Sequence, residues 1–380
     1  MDFELSAELR LLRRSIREFA EKELRPISAE VEDSDEIPQR TIRALAEIGM
    51  FGMPFNEMYG GAGVGELGYC LALEELGRVN ASFSNVVGAH CSLGAMALHL
   101  DGSAQLKARY MPDLCRGNKL ACFALSEPDA GSDAANIQTT ARPGAGGYLL
   151  NGVKHFITCA DIADYATVFA VTDAQRRARG GITAFWVDLN QPGVVRGQRG
   201  AKMGLRGSHI CELIFNDAKA AADDVIGEIG SGFRTAMRTL DVGRLSLGAS
   251  CVGSSQYLLE KAIAHAKERV QFGKPIARQQ AVQFMLADIA TEIHAGRNMV
   301  YHAAWKADRG ERFSLEAAMV KRYCSDMAIQ VVDRVLQIFG GMGFMKETGI
   351  ERAYRDARIL AIYEGTNEIQ RIVIAEQLLD

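Results

Sequence analysis

The placement of proline constrains the fold of this 380-residue chain more strongly than any other feature. Of its eight prolines, the last two are Pro192 and Pro275, so that 193–274 and 276–380 contain none. A proline inside a helix removes a hydrogen bond, clashes with the preceding turn and costs about 3 kcal/mol. Both stretches can therefore form long, uninterrupted helices.

The spacing of apolar residues indicates which segments use this freedom. Apolar side chains recur at largely helical intervals in 281–308 and again in 315–339. The segment 367–379 predicts one more helix at the end of the chain. The last part of the chain is therefore expected to be a bundle of helices.

The first 120 residues also have helical character. An apolar stripe that starts at Leu9 follows Ser6, a residue type that commonly caps a helix. Pro26 should end this first helix. Further helical segments are predicted near 39–50 and 65–78.

The stretch 121–225 has a different pattern, with short β-rich runs between Gly, Asn and Asp. The runs YLLNGVKHFIT, YATVFAVT, GITAFWVDL and CELIFND predict antiparallel strands. The order of helices, strands and helices lacks the βα alternation of a nucleotide-binding parallel sheet. We expect an α+β fold with three domains: an N-terminal all-α domain at 1–120, a middle β-barrel or sandwich domain at 121–230, and a C-terminal helical bundle at 231–380.

Composition argues against several classes of function. The chain is 48% hydrophobic and 24% charged, which suits a soluble protein with a substantial core. A net charge of −4 gives no electrostatic basis for binding nucleic acid or an anionic membrane, and no apolar run approaches the roughly 18 residues of a membrane span. Because no signal-peptide pattern is present, we expect a cytoplasmic protein, and a matured mitochondrial matrix chain would look the same.

Two patterns that commonly mark bound metals or nucleotides do not predict such sites in this chain. The eight cysteines form no CxxC pair, and no histidine cluster has zinc-ligand spacing, so we expect buried, reduced thiols and no metal. Gly63, Gly65 and Gly68 fit GxGxxG, but Pro54 interrupts the preceding segment and no acidic residue follows at the required distance. This motif predicts a glycine-rich turn that opens a helix.

Three segments carry candidate binding chemistry. FALSEPDAGSDAANIQT, at 123–139, contains a turn whose backbone N–H groups and serine hydroxyls can hold an anion, and the alternative is an ordinary surface loop. KHFIT places Phe156 and Thr158 on one face of a strand, where a ring and a hydroxyl can meet a flat cofactor. ERVQFGKPI sets Arg269 near a helix end, where it either binds phosphate or is solvated.

Glu364 is the candidate catalytic residue. It lies in IYEGTNEIQR, after two apolar residues and before Gly365. A carboxylate in an apolar site has a raised pKa and can act as a base. Thr366 is placed to cap the following helix, and capping alone is the alternative interpretation of this segment.

Together these segments closely resemble the acyl-CoA dehydrogenase family over essentially the whole chain. One family signature, Q-x-x-G-G-x-G-F-x-x-E-x(4)-R-x(3)-D, is matched throughout by 337–356, and another is matched by 124–127 and 131–133. The sequence departs from the family where Asp129 and Asn136 replace frequent glycines, and where Cys159 replaces a common asparagine. These departures concern local loop structure.

The resemblance implies the three-domain fold described above, with a C-terminal four-helix bundle, and a homotetramer that binds FAD at a subunit interface. It implies cofactor contacts from one subunit by Phe123, Leu125, Ser126, Gly131, Ser132, Phe156 and Thr158, and Thr366 and Glu368 would complete the FAD site. From a neighbouring subunit it implies contacts by Arg269, Gln271, Phe272, Gln337 and Gly341. It assigns the acyl-CoA substrate to Ser132, Asp241, Arg244 and Gly365.

The chemistry that the resemblance implies is α,β-dehydrogenation of an acyl-CoA to the trans-2-enoyl-CoA in fatty acid metabolism, on a short or branched acyl chain. Glu364 would take the α-proton, a hydride would pass to flavin N5, and an electron-transfer flavoprotein would accept the electrons. Some relatives place the base just before the arginine that matches Arg244, but Gly243 occupies that position here. The alternatives are a flavin monooxygenase or oxidase on the same fold, and a non-catalytic protein that keeps the family's shell.

Overall fold

The N-terminal part of the computed structural model, which describes residues 4–379, is helical. Its helices are α1 (Ala7–Phe19), α2 (Ser28–Ser34), α3 (Gln39–Glu47), α4 (Gly65–Gly77), α5 (Ala81–Gly88), α6 (Ala95–Asp101) and α7 (Ala104–Cys115). The Ser6 hydroxyl accepts a hydrogen bond from the Leu9 N–H at 3.2 Å, so the predicted cap of α1 is confirmed. A wider turn at Ala20–Leu24 continues α1 and ends before Pro26.

The glycine-rich segment before α4 forms a turn that opens a helix, as the sequence predicts. Gly63 and Gly65 have φ values of 61° and 72°, which glycine adopts at little cost. Helix α4 begins at Gly65 and is buried along most of its length, from Gly68 to Gly77. Helix α4 therefore belongs to the core of the helical domain.

The middle part of the chain folds into one eight-stranded sheet. Its strands are β1 (Ala121–Ala124), β2 (Thr140–Gly144), β3 (Gly147–Thr158), β4 (Tyr165–Val171), β5 (Ile182–Asp188), β6 (Val194–Arg196), β7 (Ile210–Ala221) and β8 (Val225–Ile226). The order is β6-β7-β3-β2-β4-β5-β8, with β1 paired to β4.

The prediction of antiparallel strands is correct for most pairs and wrong for two. Strand β4 lies parallel to β1 and, through one residue pair, parallel to β2. The reason is the connection, because the β2–β3 hairpin lies between β1 and β4 in the chain. Parallel neighbours require such a long crossover, which short strand patterns do not reveal.

The C-terminal part is built on one helix of 37 residues, α8 (Gly232–Glu268). A short hairpin of β9 (Val270–Gln271) and β10 (Lys274–Pro275) follows, and then α9 (Gln280–Asp308), α10 (Ser314–Phe339), α11 (Ile350–Ala357) and α12 (Asn367–Leu379). Helices α8, α9, α10 and α12 pack into the predicted bundle. Helix α8 also crosses α4 so closely that a Cβ at Gly253 would lie 1.8 Å from the Glu74 carbonyl oxygen.

Candidate active site

Glu364 lies in a tight turn between a short helical turn at Arg358–Ala361 and helix α12. Its φ is 56° and that of Gly365 is 87°, so both residues are left-handed. For a residue with a side chain this conformation costs about 1 kcal/mol or more and persists only where the surroundings hold it. Gln370 Nε2 holds the turn by donating to the Glu364 and Gly365 carbonyls at 3.2 and 3.0 Å. Thr366 Oγ1 accepts from the Ile369 N–H at 3.3 Å and caps α12, as predicted.

One oxygen of the Glu364 carboxylate is buried and unpaired, although the residue as a whole is partly accessible. Among residues 4–379, its Oε2 atom has no hydrogen-bond partner and is shielded from solvent. Burial raises the pKa of Glu364 to about 7, although the positive charges of Arg244 and Lys321 pull it downward. A carboxyl with this pKa can both accept and release a proton near neutral pH.

Gly243 on α8 lies directly against this carboxylate. A Cβ built at Gly243 would lie 2.6 Å from Glu364 Oε2 and 2.9 Å from Leu93 Cδ2. Only glycine leaves the space that the carboxylate occupies, because any side chain at 243 would displace it. Positions 243 and 364, far apart in the sequence, therefore converge on one point.

Three of the four predicted substrate residues are brought to the same place. Arg244 Nη1 donates to Asp241 Oδ1 at 2.8 Å, and its Nε approaches the Glu364 carbonyl at 3.5 Å. Ser314 Oγ donates to the other oxygen of Asp241 at 2.6 Å. Burial raises the pKa of Asp241, and attraction to Arg244 opposes the rise. Gly365 belongs to the Glu364 turn itself.

The predicted flavin segment of the middle domain forms a compact turn beside the end of β3. Glu127 and Ala130 exchange backbone hydrogen bonds at 3.0 and 3.1 Å, and the His155 N–H donates to the Ser126 carbonyl at 2.8 Å. Gly131 and Ser132, which follow the turn, are exposed. Ser132, the fourth predicted substrate residue, is thus on this loop and outside the Glu364 cluster.

Phe156 projects into solvent from an irregular point of the sheet. The β3–β7 register shifts between Lys154 and Ile157, and Phe156 has a φ of 58° with 64% of its surface exposed. Ile157 is buried, whereas Thr158 is partly accessible. Phe156 and Thr158 therefore both lie on the open side of the sheet, as the sequence predicts. A large exposed ring beside an accessible hydroxyl fits a flat cofactor.

Phe123 and Leu125, two further predicted cofactor contacts, lie mostly inside the protein. The Phe123 ring centre is 4.9 Å from that of Phe169. Leu125 is 6% exposed and belongs to the core. Its side chain therefore packs inward, and any contact it makes with a cofactor would come from its backbone.

The sequence interpretation missed a buried ion pair that joins these two segments. Lys154 Nζ, which is completely buried, donates to Glu127 Oε1 at 2.7 Å and to the Leu125 carbonyl at 3.1 Å. Burial lowers the pKa of Lys154 to about 8, with Glu127 opposing the change. Both residues stand inside the motifs that the sequence singles out, but a pairing across 27 positions has no local signal.

Five of the predicted cofactor residues lie at the other end of the bundle: Arg269, Gln271, Phe272, Gln337 and Gly341. All five are exposed, and Phe272 has 94% of its surface in solvent. Stacking of the His265 and Phe339 rings, 4.0 Å apart, joins the ends of α8 and α10 there. From Gly243 to Glu268 the rise along α8 is about 38 Å. The chain does not bring these residues to its own Glu364.

Glu368, on the first turn of α12, is exposed, and a backbone hydrogen bond lowers the pKa of its carboxyl, with a smaller contribution from the Thr366 hydroxyl. Within residues 4–379, no cluster of His, Cys, Asp or Glu has the arrangement of a metal site. All eight cysteines are free and buried, as predicted. No helix in the described part of the chain is long and apolar enough to cross a membrane.

Three family models match consecutive parts of the chain. They are the acyl-CoA dehydrogenase N-terminal domain over residues 6–118, the middle domain over 122–218 and the C-terminal domain over 230–379. A 3-(aryl)acrylate reductase from Clostridium sporogenes is 42% identical over 369 residues, which cover 97% of this chain and 98% of that one.

Solved structures give the same result. The structure of butyryl-CoA dehydrogenase from Megasphaera elsdenii superposes with a TM-score of 0.97 and 40% identity, covering 100% of both chains. The FAD complex of PigA superposes with a TM-score of 0.96 and 33% identity, covering 100% of this chain and 99% of that one. The three-domain fold expected from the sequence is therefore confirmed, and the chain belongs to the acyl-CoA dehydrogenase family.

Proposed function

We propose that this protein dehydrogenates an acyl-CoA thioester to the trans-2-enoyl-CoA, with FAD as its cofactor and Glu364 as the base. One observation carries the proposal, which is the buried, unpartnered Oε2 atom of Glu364. Buried polar atoms are nearly always hydrogen-bonded, so an exception with a pKa of about 7 indicates a functional group. Removal of a weakly acidic α-proton needs such a base.

The backbone of Glu364 offers a second element of the reaction. Among the hydrogen bonds of residues 4–379, none engages the Glu364 N–H. Since the α-proton leaves as a thioester enolate forms, negative charge develops on the thioester oxygen. A free, rigidly held N–H beside the base can stabilise that oxygen. The left-handed turn thus presents a base and a donor from one residue.

The residues present fit FAD in two groups. Phe156, Thr158 and the 126–132 turn would hold the flavin and its phosphates from one subunit, and Thr366 and Glu368 would complete that group. FAD supplies the hydride acceptor when it is bound. Arg269, Gln271, Phe272, Gln337 and Gly341 would contact a cofactor bound mainly to another subunit, because the end of α8 before Arg269 lies about 38 Å along the helix from Gly243, and Gln337 and Gly341 lie at the adjoining end of α10.

This division supports a homotetramer in which subunits complete one another's cofactor sites. The exposed apolar residues Val270, Phe272, Met342 and Phe344 flank the predicted cofactor residues at this end of the bundle. Solvent-exposed apolar clusters of this kind commonly mark protein contacts. We propose an electron-transfer flavoprotein as the electron acceptor, in keeping with the family.

The substrate is proposed to be a short or branched acyl-CoA. Arg244 and Asp241 lie beside the Glu364 turn, where they can position the thioester end of the molecule. Ser132 would contact the CoA portion from the middle domain. The high similarity to a butyryl-CoA dehydrogenase supports a short acyl chain.

A second candidate function is the reverse reaction, reduction of an α,β-unsaturated thioester. A carboxyl with a pKa of about 7 can donate a proton to the α-carbon as readily as it removes one. The 42% identity to a 3-(aryl)acrylate reductase supports this direction. Both functions use Glu364 at the same carbon and differ in the direction of net turnover.

An anaerobic titration of the purified yellow holoenzyme separates these functions. Saturated acyl-CoAs of increasing length are added to the oxidised protein, and enoyl-CoAs and arylacryloyl-CoAs to the dithionite-reduced protein, while flavin absorbance is followed. Dehydrogenation predicts rapid bleaching by one class of saturated thioester, and a dedicated reductase predicts rapid reoxidation by the unsaturated ones. Glu364→Gln should retain FAD and respond to neither. Peroxide formation in air without bleaching by any thioester would contradict the proposal and indicate an oxidase or monooxygenase.

The assignment of Arg269 is tested by FAD retention. Arg269→Ala should weaken FAD binding and the tetramer, because it removes a cation proposed to contact the phosphates. Lys267→Ala, which removes an exposed cation two residues earlier, is the control. Equal FAD affinity in both variants would remove the role of Arg269.

A further inference from the structure

Lys321 is a buried cation that the proposed mechanism leaves unused. It lies on α10 with none of its surface exposed. Its Nζ donates to Asn367 Oδ1 at 2.8 Å, and no ion pair of residues 4–379 includes it. A buried ammonium group normally has a carboxylate partner, because removal of the charge from water is costly. Lys321 therefore calls for a reason beyond packing.

The bond to Asn367 connects α10 to the turn that carries Glu364. Asn367 begins α12 and comes three residues after Glu364. Its Nδ2 donates to Ser325 Oγ at 2.9 Å and to Asp326 Oδ1 at 2.7 Å, and Ser325 Oγ also approaches its Oδ1 at 3.1 Å. The amide is thus held on both sides by α10, which fixes the start of α12 and with it the Glu364 turn.

Lys321 differs from Arg244, the other cation near Glu364, because it has no carboxylate partner of its own among residues 4–379. From α8, Arg244 faces the carboxylate, but its guanidinium also pairs with Asp241 at 2.8 Å. The charge of Lys321, on α10, also lowers the pKa of Glu364, and the carboxylate interacts electrostatically with the Cys251 thiol on α8 and the Tyr363 phenol in the turn. Lys321 itself interacts with Cys251, Arg244 and Asp326, and among its charged neighbours Glu364 contributes most to its pKa. Lys321 is thus the cation near Glu364 that has no carboxylate of its own.

We propose that Lys321 is a positioning residue of the reaction, which favours the proton-accepting carboxylate form of Glu364 and anchors its turn through Asn367. The inference rests on the proposed role of Glu364 as the base. It explains why a lysine occupies the interior of α10, where a methionine would fill similar space at lower cost. Burial lowers the pKa of Lys321 to about 8, so the ammonium form predominates at neutral pH.

The test compares the pH dependence of kcat/KM in the holoenzymes of wild type and four variants. Lys321→Gln removes the charge but keeps a donor toward Asn367, and Lys321→Met removes both. Ser325→Ala loses both contacts of the Ser325 hydroxyl with Asn367 and keeps the charge of Lys321, and wild type is the reference. We expect the acid limb of both Lys321 variants to move upward by about one pH unit, with about a tenfold loss at pH 6. Ser325→Ala should keep the wild-type limb, and Lys321→Arg should largely restore it.

The pH dependence of folding stability tests the protonation of Lys321 without any measurement of activity. The unfolded lysine keeps its proton up to about 10.5, whereas the folded one releases it near 8, so the unfolded state binds more protons between these values. Wild-type stability should therefore gain a contribution that increases from about pH 8 to 10.5. The Lys321→Gln variant should lack that slope.

The outcomes separate the inference from the proposed function. If Lys321→Gln retains FAD, folds and shows the wild-type acid limb while Glu364→Gln is inactive, the role of Lys321 is refuted and that of Glu364 stands. If Glu364→Gln itself turns over at a substantial rate, the proposed function fails and the inference fails with it. If neither Lys321 variant folds, wild-type stability that does not increase between about pH 8 and 10.5 would show that Lys321 is not desolvated beside Glu364, and would refute the inference.

Discussion

Two regions of the helical core bury carboxylates in opposite ways. On α4, Glu75 accepts hydrogen bonds from Arg13 Nε at 2.7 Å and from Arg17 at 2.7 and 2.8 Å. Its neighbour Glu74 accepts from Arg13, Arg297 and the Tyr301 hydroxyl. On the far side of α8, Glu364 has cations nearby but no hydrogen-bond donor on Oε2 within residues 4–379.

This difference separates structural from chemical use of the same functional group. The oxygens of Glu74 and Glu75 are occupied by donors that tie α1, α4 and α9 together. The free oxygen of Glu364 holds no element in place, and the protein instead fixes the backbone around it through Gln370, Arg244 and Asn367. A base must keep an open lone pair, so its position has to come from its neighbours.

The largest expected effect is the loss of turnover when Glu364 is replaced. Glu364→Gln should lower kcat by about 10²–10⁴-fold, the usual contribution of a general base, because the amide cannot take the α-proton. Steady-state assays with the best acyl-CoA measure this, with bound FAD confirmed by absorbance. If Glu364→Gln retained more than a tenth of the wild-type kcat, Glu364 would not be the base and would have a structural role like that of Glu74 and Glu75.

The second effect is on stability. Glu75→Gln should lower the free energy of unfolding by about 2–4 kcal/mol, because it leaves Arg17 without a counter-charge and Arg13 with Glu74 alone. Glu30→Gln, in an exposed pair with Arg40, is the control and should cost less than about 1 kcal/mol. Denaturant unfolding compares them. Equal losses of unfolding free energy in the two variants would show that burial does not determine how much these carboxylates contribute to stability.

The third expected effect tests the close contact between Gly243 and Glu364. Gly243→Ala should lower kcat about 10–100-fold, because the new methyl group would lie 2.6 Å from Oε2 and push the carboxylate aside. Gly88→Ala is the matched control, since a Cβ there has no atom nearer than 3.9 Å. Equal activity of the two variants would mean that the carboxylate tolerates displacement.

The smallest effect is a pH dependence of stability. The folded pKa of Glu364 is about 7 against 4.5 unfolded, so the folded state binds more protons between these values. The contribution of Glu364 to the stability of the folded wild type is therefore complete below pH 4.5 and is lost as the pH rises through 7. Glu364→Gln should match wild type near pH 4.5 and be more stable by about 1–2 kcal/mol at pH 8. If Glu364→Gln were less stable than wild type at pH 8, the ionised carboxylate of Glu364 would be compensated by its neighbours, contrary to this prediction.

The sequence predicts those features that local patterns determine. The helices expected at 281–308 and 315–339 are observed at Gln280–Asp308 and Ser314–Phe339, because apolar periodicity extends through each segment. The Ser6 cap and the glycine turn before α4 are local in the same sense. Family resemblance located Glu364 and identified the glycine at 243.

Features that depend on packing between distant segments were not predicted. The parallel pairing of β4 depends on the path of the β2–β3 hairpin. The bond between Lys321 and Asn367 joins positions 46 residues apart, and a lone lysine in a helical pattern gives no sign of its partner. The missing partner of Glu364 Oε2 is likewise visible only once α8, α10 and the turn surround it.

The most direct test of Glu364 as an uncompensated base is exchange of the α-proton of a bound acyl-CoA in deuterated water. Exchange needs only the removal and return of this proton, so it reports on the base alone. The holoenzyme should incorporate deuterium at the α-carbon, folded Glu75→Gln should do so at a similar rate, and Glu364→Gln should not. Exchange by Glu364→Gln at the wild-type rate would contradict the account.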